Sequence, residues 1–164
     1  MPTDRRSGLA PQELERLLGA GNASELTTTW NTYRGEDIPP ALERQLDDAL
    51  RRLRRGGDKA RQAAIDVGQA ALDLLLQYRP PAVIDRARFD LWTRQVQLDA
   101  AARDEGALKG DAATLERIAD RFSHGPEIRS LLRQLRQQAD TSAFAAAAST
   151  ASQLRDNVAS IASP

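Results

Sequence analysis

The sequence predicts an all-α protein: an antiparallel, up-and-down bundle of about four long helices preceded by one or two short ones. Three observations predict it. Apolar residues recur at helical spacings through most of the chain, clusters of Gly and Pro punctuate the periodic segments, and no alternating strand pattern or hairpin signal occurs.

Residues 1–10 are polar and aperiodic and read as a flexible tail, followed by one helical-bundle domain over residues 11–162. In "PQELERLL", Pro11 suits a first helical position and Glu13 and Glu15 favour the positive end of the helix dipole; "GAGN" stops it. "ASELTTTWNTY" reads as a second short helix. Pro39 and Pro40 then open "ALERQLDDALRRLRR", where Leu42, Leu46, Leu50 and Leu53 form one stripe. Gly56 and Gly57 break this helix, and Asp58 is the expected N-cap of the next, "KARQAAIDVGQAALDLLLQY". At about 100° per residue its apolar and small residues cover most of the circumference, which predicts a central helix. The narrow remaining stripe, with Asp66 and Asp73, is expected to face water.

Pro80 and Pro81 restart the chain into a helix from Ala82 to Ala102. Asp104 caps a further helix, in which Leu108, Ala112, Leu115, Ala119 and Phe122 alternate steps of 4 and 3, and "SHGP" ends it. A shorter helix runs from Glu127 to Ala139, and the last carries Phe144, Ala147, Ala151, Leu154, Val158 and Ile161 on one face. A shift of 36 residues aligns Asp104 with Asp140, Leu108 with Phe144 and Leu115 with Ala151, which raises an alternative: a tetratricopeptide-like solenoid of helical hairpins. Thirty-six residues are about ten helical turns, however, so two amphipathic helices self-align at that shift without being repeats.

Composition narrows the function. The 23 basic and 23 acidic residues balance, leaving no global pull toward nucleic acid or an anionic membrane. No apolar run approaches the roughly 18 residues of a membrane span, so a soluble domain is expected. The absence of cysteine excludes disulfides, thiolate metal sites and cysteine nucleophiles. Lysine occurs only at Lys59 and Lys109, and the arginine and alanine usage reads as GC-rich coding, the pattern of a generic bacterial helical bundle. "MPTDRRSGLAPQ" lacks the apolar region of a signal peptide, which leaves two expectations: a cytoplasmic protein, or a mature exported, periplasmic domain without its leader.

Catalytic constellations are missing. His124 is the only histidine and no Glu-x-x-His occurs, so a di-iron or zinc site has no ligand set; Met1 is the only methionine, which leaves haem poorly served. There is no nucleophile elbow and no glycine-rich phosphate loop. His124 in "FSHGP" reads as part of a helix stop. The basic run Arg51–Arg55 follows Asp47 and Asp48 at pairing distance along one helix, which reads as a solvated face.

One stretch stands apart. On a wheel of residues 82–102, Ile84, Ala87, Leu91, Leu98 and Ala102 form one apolar arc, and Phe89, Trp92, Val96 and Ala100 another. Between them fall Asp85, Arg88, Gln95 and Asp99, in a contiguous polar stripe where the helix should be buried. Arg86, Asp90 and Arg94 lie opposite, as a solvent-facing ladder. Burying such a stripe is costly unless its groups find partners, water or a ligand. Either it is an internal network that fixes helix register, or, with Tyr78, Arg79 and Trp92 at its rim, it binds a small polar ligand or a cation. A third use is a protein-binding surface displaying Phe89 and Trp92.

The sequence therefore predicts a non-enzymatic helical-bundle binding domain, with a protein partner, no nucleic acid and no cofactor. The alternative is a bundle that holds a small polar ligand or cation through the stripe.

Overall fold

The computed structural model describes residues 39–76 and 79–162. The expected tail, the two short N-terminal helices and Tyr78 lie outside them. Six α-helices and no strand occur among the described residues: α1 (Pro40–Arg55), α2 (Ala60–Leu75), α3 (Pro81–Ala101), α4 (Glu105–Ala119), α5 (Pro126–Asp140) and α6 (Phe144–Ala162). None of these helices is long and apolar enough to cross a membrane. The chain divides into two compact units, Met1–Arg79 and Pro80–Pro164, at the double proline.

In the first unit, α1 and α2 pack on each other. Pro40 opens α1 with its φ already helical and its missing N–H where no helical bond is needed. Leu46, Ala49 and Leu50 form the buried stripe, and Leu42 and Leu53 are half-buried at its ends. Gly56 and Gly57 both adopt positive φ, which an L-residue adopts only under strain, and so turn the chain. Asp58 was expected to cap α2. Instead it lies inside a 3₁₀ turn, Gly57–Lys59, and α2 starts at Ala60 without a side-chain cap, because the paired glycines make the turn locally.

Helix α2 buries Ala63, Ile65, Val67, Gly68, Ala70, Ala71, Leu72, Leu74 and Leu75. Its Asp66 does not simply face water: Arg52 Nη1 of α1 donates to it at 2.8 Å, and Gln62 Nε2 at 3.1 Å. Arg52 also reaches Asp48 at 3.2 Å. The basic run thus combines the expected pair along one helix with an ion pair between helices, and that hydrogen bond to Asp66 raises the Arg52 guanidinium above its ordinary value.

In the second unit, α3 packs on α4 and α6, and α5 packs on the same two helices. The core between them holds Phe89, Val96, Leu108, Leu115, Leu135 and Leu154. Ala147 and Ala151 are fully buried on α6, so their small side chains let neighbouring backbones approach closely. Phe89 meets Phe122 edge-to-face, with ring centroids 5.7 Å apart.

The corners after α3 and α5 are built alike. The Asp104 N–H bonds back to Asp99 O at 3.0 Å and the Ala143 N–H to Gln138 O at 2.8 Å, which closes Schellman-type ends with Arg103 and Ser142 in the left-handed region. These corners recur 39 residues apart, at 103 and 142, so the 36-residue alignment matches helix faces and not repeat boundaries.

Asp104 caps α4 as expected, accepting from Ala107 N–H at 3.0 Å. Asp104→Ala is expected to lower stability by about 1 kcal/mol, read from the urea midpoint with an unchanged m-value. Helix α4 ends at Ala119, three residues before Phe122, because Arg121 and Phe122 N–H groups bond to the carbonyls three residues back and tighten the last turn. His124 lies beyond that turn, its ring against Phe122 at 5.8 Å and its Nδ1 3.3 Å from Gly125 O.

Candidate functional site: the polar stripe of α3

The stripe exists because α3 has to satisfy two neighbours at once. Its core-facing residues, Phe89, Thr93, Val96 and Ala100, recur at steps of 4, 3 and 4. The buried Thr93 hydroxyl donates to the Asp90 carbonyl, so no polar atom is stranded there. Phe89 has no exposure at all, which corrects the expectation that it is displayed for a partner; Trp92 is half-buried and packs against the core. Of the other apolar arc, Ile84 is buried, Ala87, Leu91 and Leu98 are half-buried and Ala102 is exposed. Arg86, Asp90 and Arg94 form the outer ladder, with Arg94 Nε 3.1 Å from Asp90 Oδ2.

Along the stripe the four residues separate into two places. Near the start of α3, Asp85 is buried and pairs with Arg121, just past the end of α4, at 3.6 Å; Arg88, half-buried, is also engaged. Two turns before the corner, Gln95 Nε2 donates to Asp99 Oδ2 at 3.1 Å. Asp85 and Asp99 therefore do not converge. Arg79 is half-buried at the end of the first unit, its N–H bonded to Leu75 O at 3.1 Å.

The residue that completes the second place is Asp111 of α4. It is only 4 % exposed, in hydrogen-bonding reach of Asp99, and its Oδ2 has no hydrogen-bond partner. Burial first, then the hydrogen bond with Asp99, then the charges of Asp99 and Asp104, push its carboxyl up to about 9. At neutral pH Asp111 is a neutral acid. A hydrogen bond between two carboxyls needs a proton on one of them, and burial, which disfavours the charged form of Asp111, places it there.

Sequence reasoning passed over Asp111. The signal was there: it stands three residues after Leu108 and four before Leu115, on the edge of the apolar stripe of α4. A carboxyl at that position has to find a cation or hydrogen-bond donors, or keep its proton.

Other polar contacts tie the remaining helix pairs. Gln97 Nε2 donates to Ala148 O at 3.4 Å and its Oε1 accepts from Arg155 at 3.1 Å, joining α3 to α6. Thr150 donates to Gln138 at 2.8 Å between α6 and α5, and Arg136 lies 3.8 Å from Glu116 between α5 and α4. Among the described residues no group of three or more His, Cys, Asp or Glu is arranged to hold a metal ion.

The chemistry available is thus that of a neutral acid beside a second carboxyl, enclosed between two helices. Such a pair can hold a proton and fix the register of α3 against α4. Compared with protein-family models, with curated proteins and with solved structures, the chain matches none.

Proposed function

We propose that residues 80–162 form an up-and-down four-helix bundle and that the chain is a non-enzymatic binding domain that takes a protein partner. Short corners between successive helices and the contact of α3 with α6 support the bundle, since hairpins stacked in a solenoid touch only their sequence neighbours. One observation carries the functional reading. The polar groups of α3 that could have faced a substrate are met within the unit: Asp85 by Arg121, and Asp99 by Gln95 and Asp111.

That leaves the outer surface for function. Val83 in the first turn of α3 is 39 % exposed and Ile161 in the last turn of α6 is 40 % exposed. An up-and-down arrangement brings both to one end of the bundle, where they offer apolar contact. With a crosslinked partner in hand, Val83→Asp with Ile161→Asp is expected to weaken capture at least tenfold at an unchanged melting temperature. Undiminished capture would rule out this end of the bundle.

A second reading, a small polar ligand or cation held by the stripe, takes the unpartnered Asp111 Oδ2 as its observation. It requires that calcium, magnesium or small anions raise the melting temperature of the wild type and not of Asp99→Asn. No shift in either protein removes it.

A further inference from the structure

We propose that the seam between α3 and α4 is a proton-operated joint: one proton shared by Asp99 and Asp111 holds the hairpin closed near its corner, and losing it loosens the first turns of α4 from α3. The geometry carries this. Asp111 is almost fully enclosed, one of its oxygens has no partner, and α3, the helix that packs on α4, sets the Asp99 carboxyl against it. Two ionised carboxylates in that space would repel across a low-dielectric gap, and the enclosed one could not be solvated.

Among the described residues, no basic side chain is among the groups that shift Asp111. The charged groups acting on Asp111 are Asp99 from α3 and Asp104 from the corner, both acidic. Arg103, also at the corner, lies over the Phe144 ring, 5.0 Å from its centroid. On α4 itself Lys109 is taken by Glu105 at 3.0 Å. From α5, the other helix packed on α4, Arg136 reaches Glu116 further along.

The segment that would loosen is also intrinsically soft. The first two turns of α4, "EGALKGD", contain Gly106 and Gly110, each a poor helix former, so this stretch stays helical largely through packing on its neighbours. A charge appearing at Asp111 removes part of that packing where propensity cannot compensate.

The test is native-state hydrogen exchange of the α4 backbone amides in the full chain, corrected for the intrinsic rate at each pH. In the wild type, protection from Leu108 to Leu115 is expected to fall about tenfold per pH unit between pH 6 and 8, as for an opening that releases one proton. Asp111→Asn keeps the shape without the titration and should give a flat profile. Asp99→Asn should keep the slope but bring its upper limit to lower pH, because the sharing partner is gone while burial remains. A flat wild-type profile overturns the proposal, as does an unchanged slope in Asp111→Asn. An unaltered limit in Asp99→Asn overturns the sharing. Wild-type protection restored at pH 8 by millimolar calcium or magnesium would give the unpartnered oxygen to a cation and overturn it too.

Discussion

Phe89→Ala is expected to destabilise the unit of residues 80–164 by about 3–5 kcal/mol, the range for removing a fully buried aromatic ring. Phe89 has no exposure and sits on the core face of α3, where it meets Phe122 edge-to-face at 5.7 Å. The loss has two parts: the transfer of a large apolar side chain, and the void left because α3 and the turn after α4 relax only partly. Phe122 lies in that turn and loses the ring it packs on, so fraying should begin there. Urea unfolding followed by far-UV circular dichroism should show a lower midpoint. A loss below about 1 kcal/mol would mean that the ring is not enclosed as described.

Asp111→Asn should do the opposite and stabilise the protein at neutral pH, by an amount on the order of 2–4 kcal/mol. The sign follows from the direction of the shift. The folded carboxyl titrates at about 9, whereas in the unfolded chain it titrates near the ordinary aspartate value of about 4. A raised carboxyl means that the folded state holds a proton the unfolded state has released. The corresponding stability is fully present below about pH 4 and is lost progressively as pH rises to about 9, at about 1.4 kcal/mol per unit. Asparagine is neutral throughout and its amide can donate to Asp99, so the cost of keeping a proton at pH 7 disappears. The gain should be large at pH 7 and absent near pH 4. A variant less stable than the wild type at pH 7 would show that the site prefers an ionised aspartate.

Much of the fold was legible because its punctuation is local. Pro40 and Pro81 each open a helix and Asp104 caps one, from information held within one turn of sequence, whereas Pro126, read as part of a stop, is the first residue of α5. The polar stripe was legible for the same reason: a wheel shows which residues share a face. It does not show what that face meets. Asp66 looked solvent-facing on its own helix and is bonded by Arg52 of α1, while Phe89 looked available to a partner and lies in the core. An Asp after two glycines has the pattern of a cap, but the positive φ values of Gly56 and Gly57 build a 3₁₀ turn that includes Asp58.

Asp111 escaped for a related reason. Its meaning lies in the pairing of α3 with α4, which sets Asp99 against it, and no spacing within either helix states that pairing. Once the helices are side by side, the stripe divides. Asp85 becomes half of an ion pair with Arg121, and Gln95 and Asp99 become the neighbours of a buried acid.

The most direct measurement is the pH titration of the Asp111 carboxyl carbon by 13C NMR, assigned by its absence in Asp111→Asn. A midpoint near pH 9 is the expected result, with the shift of a protonated acid at neutral pH. A midpoint near pH 4, the ordinary aspartate value, would contradict a neutral carboxyl in the α3–α4 seam and the proton-operated joint built on it.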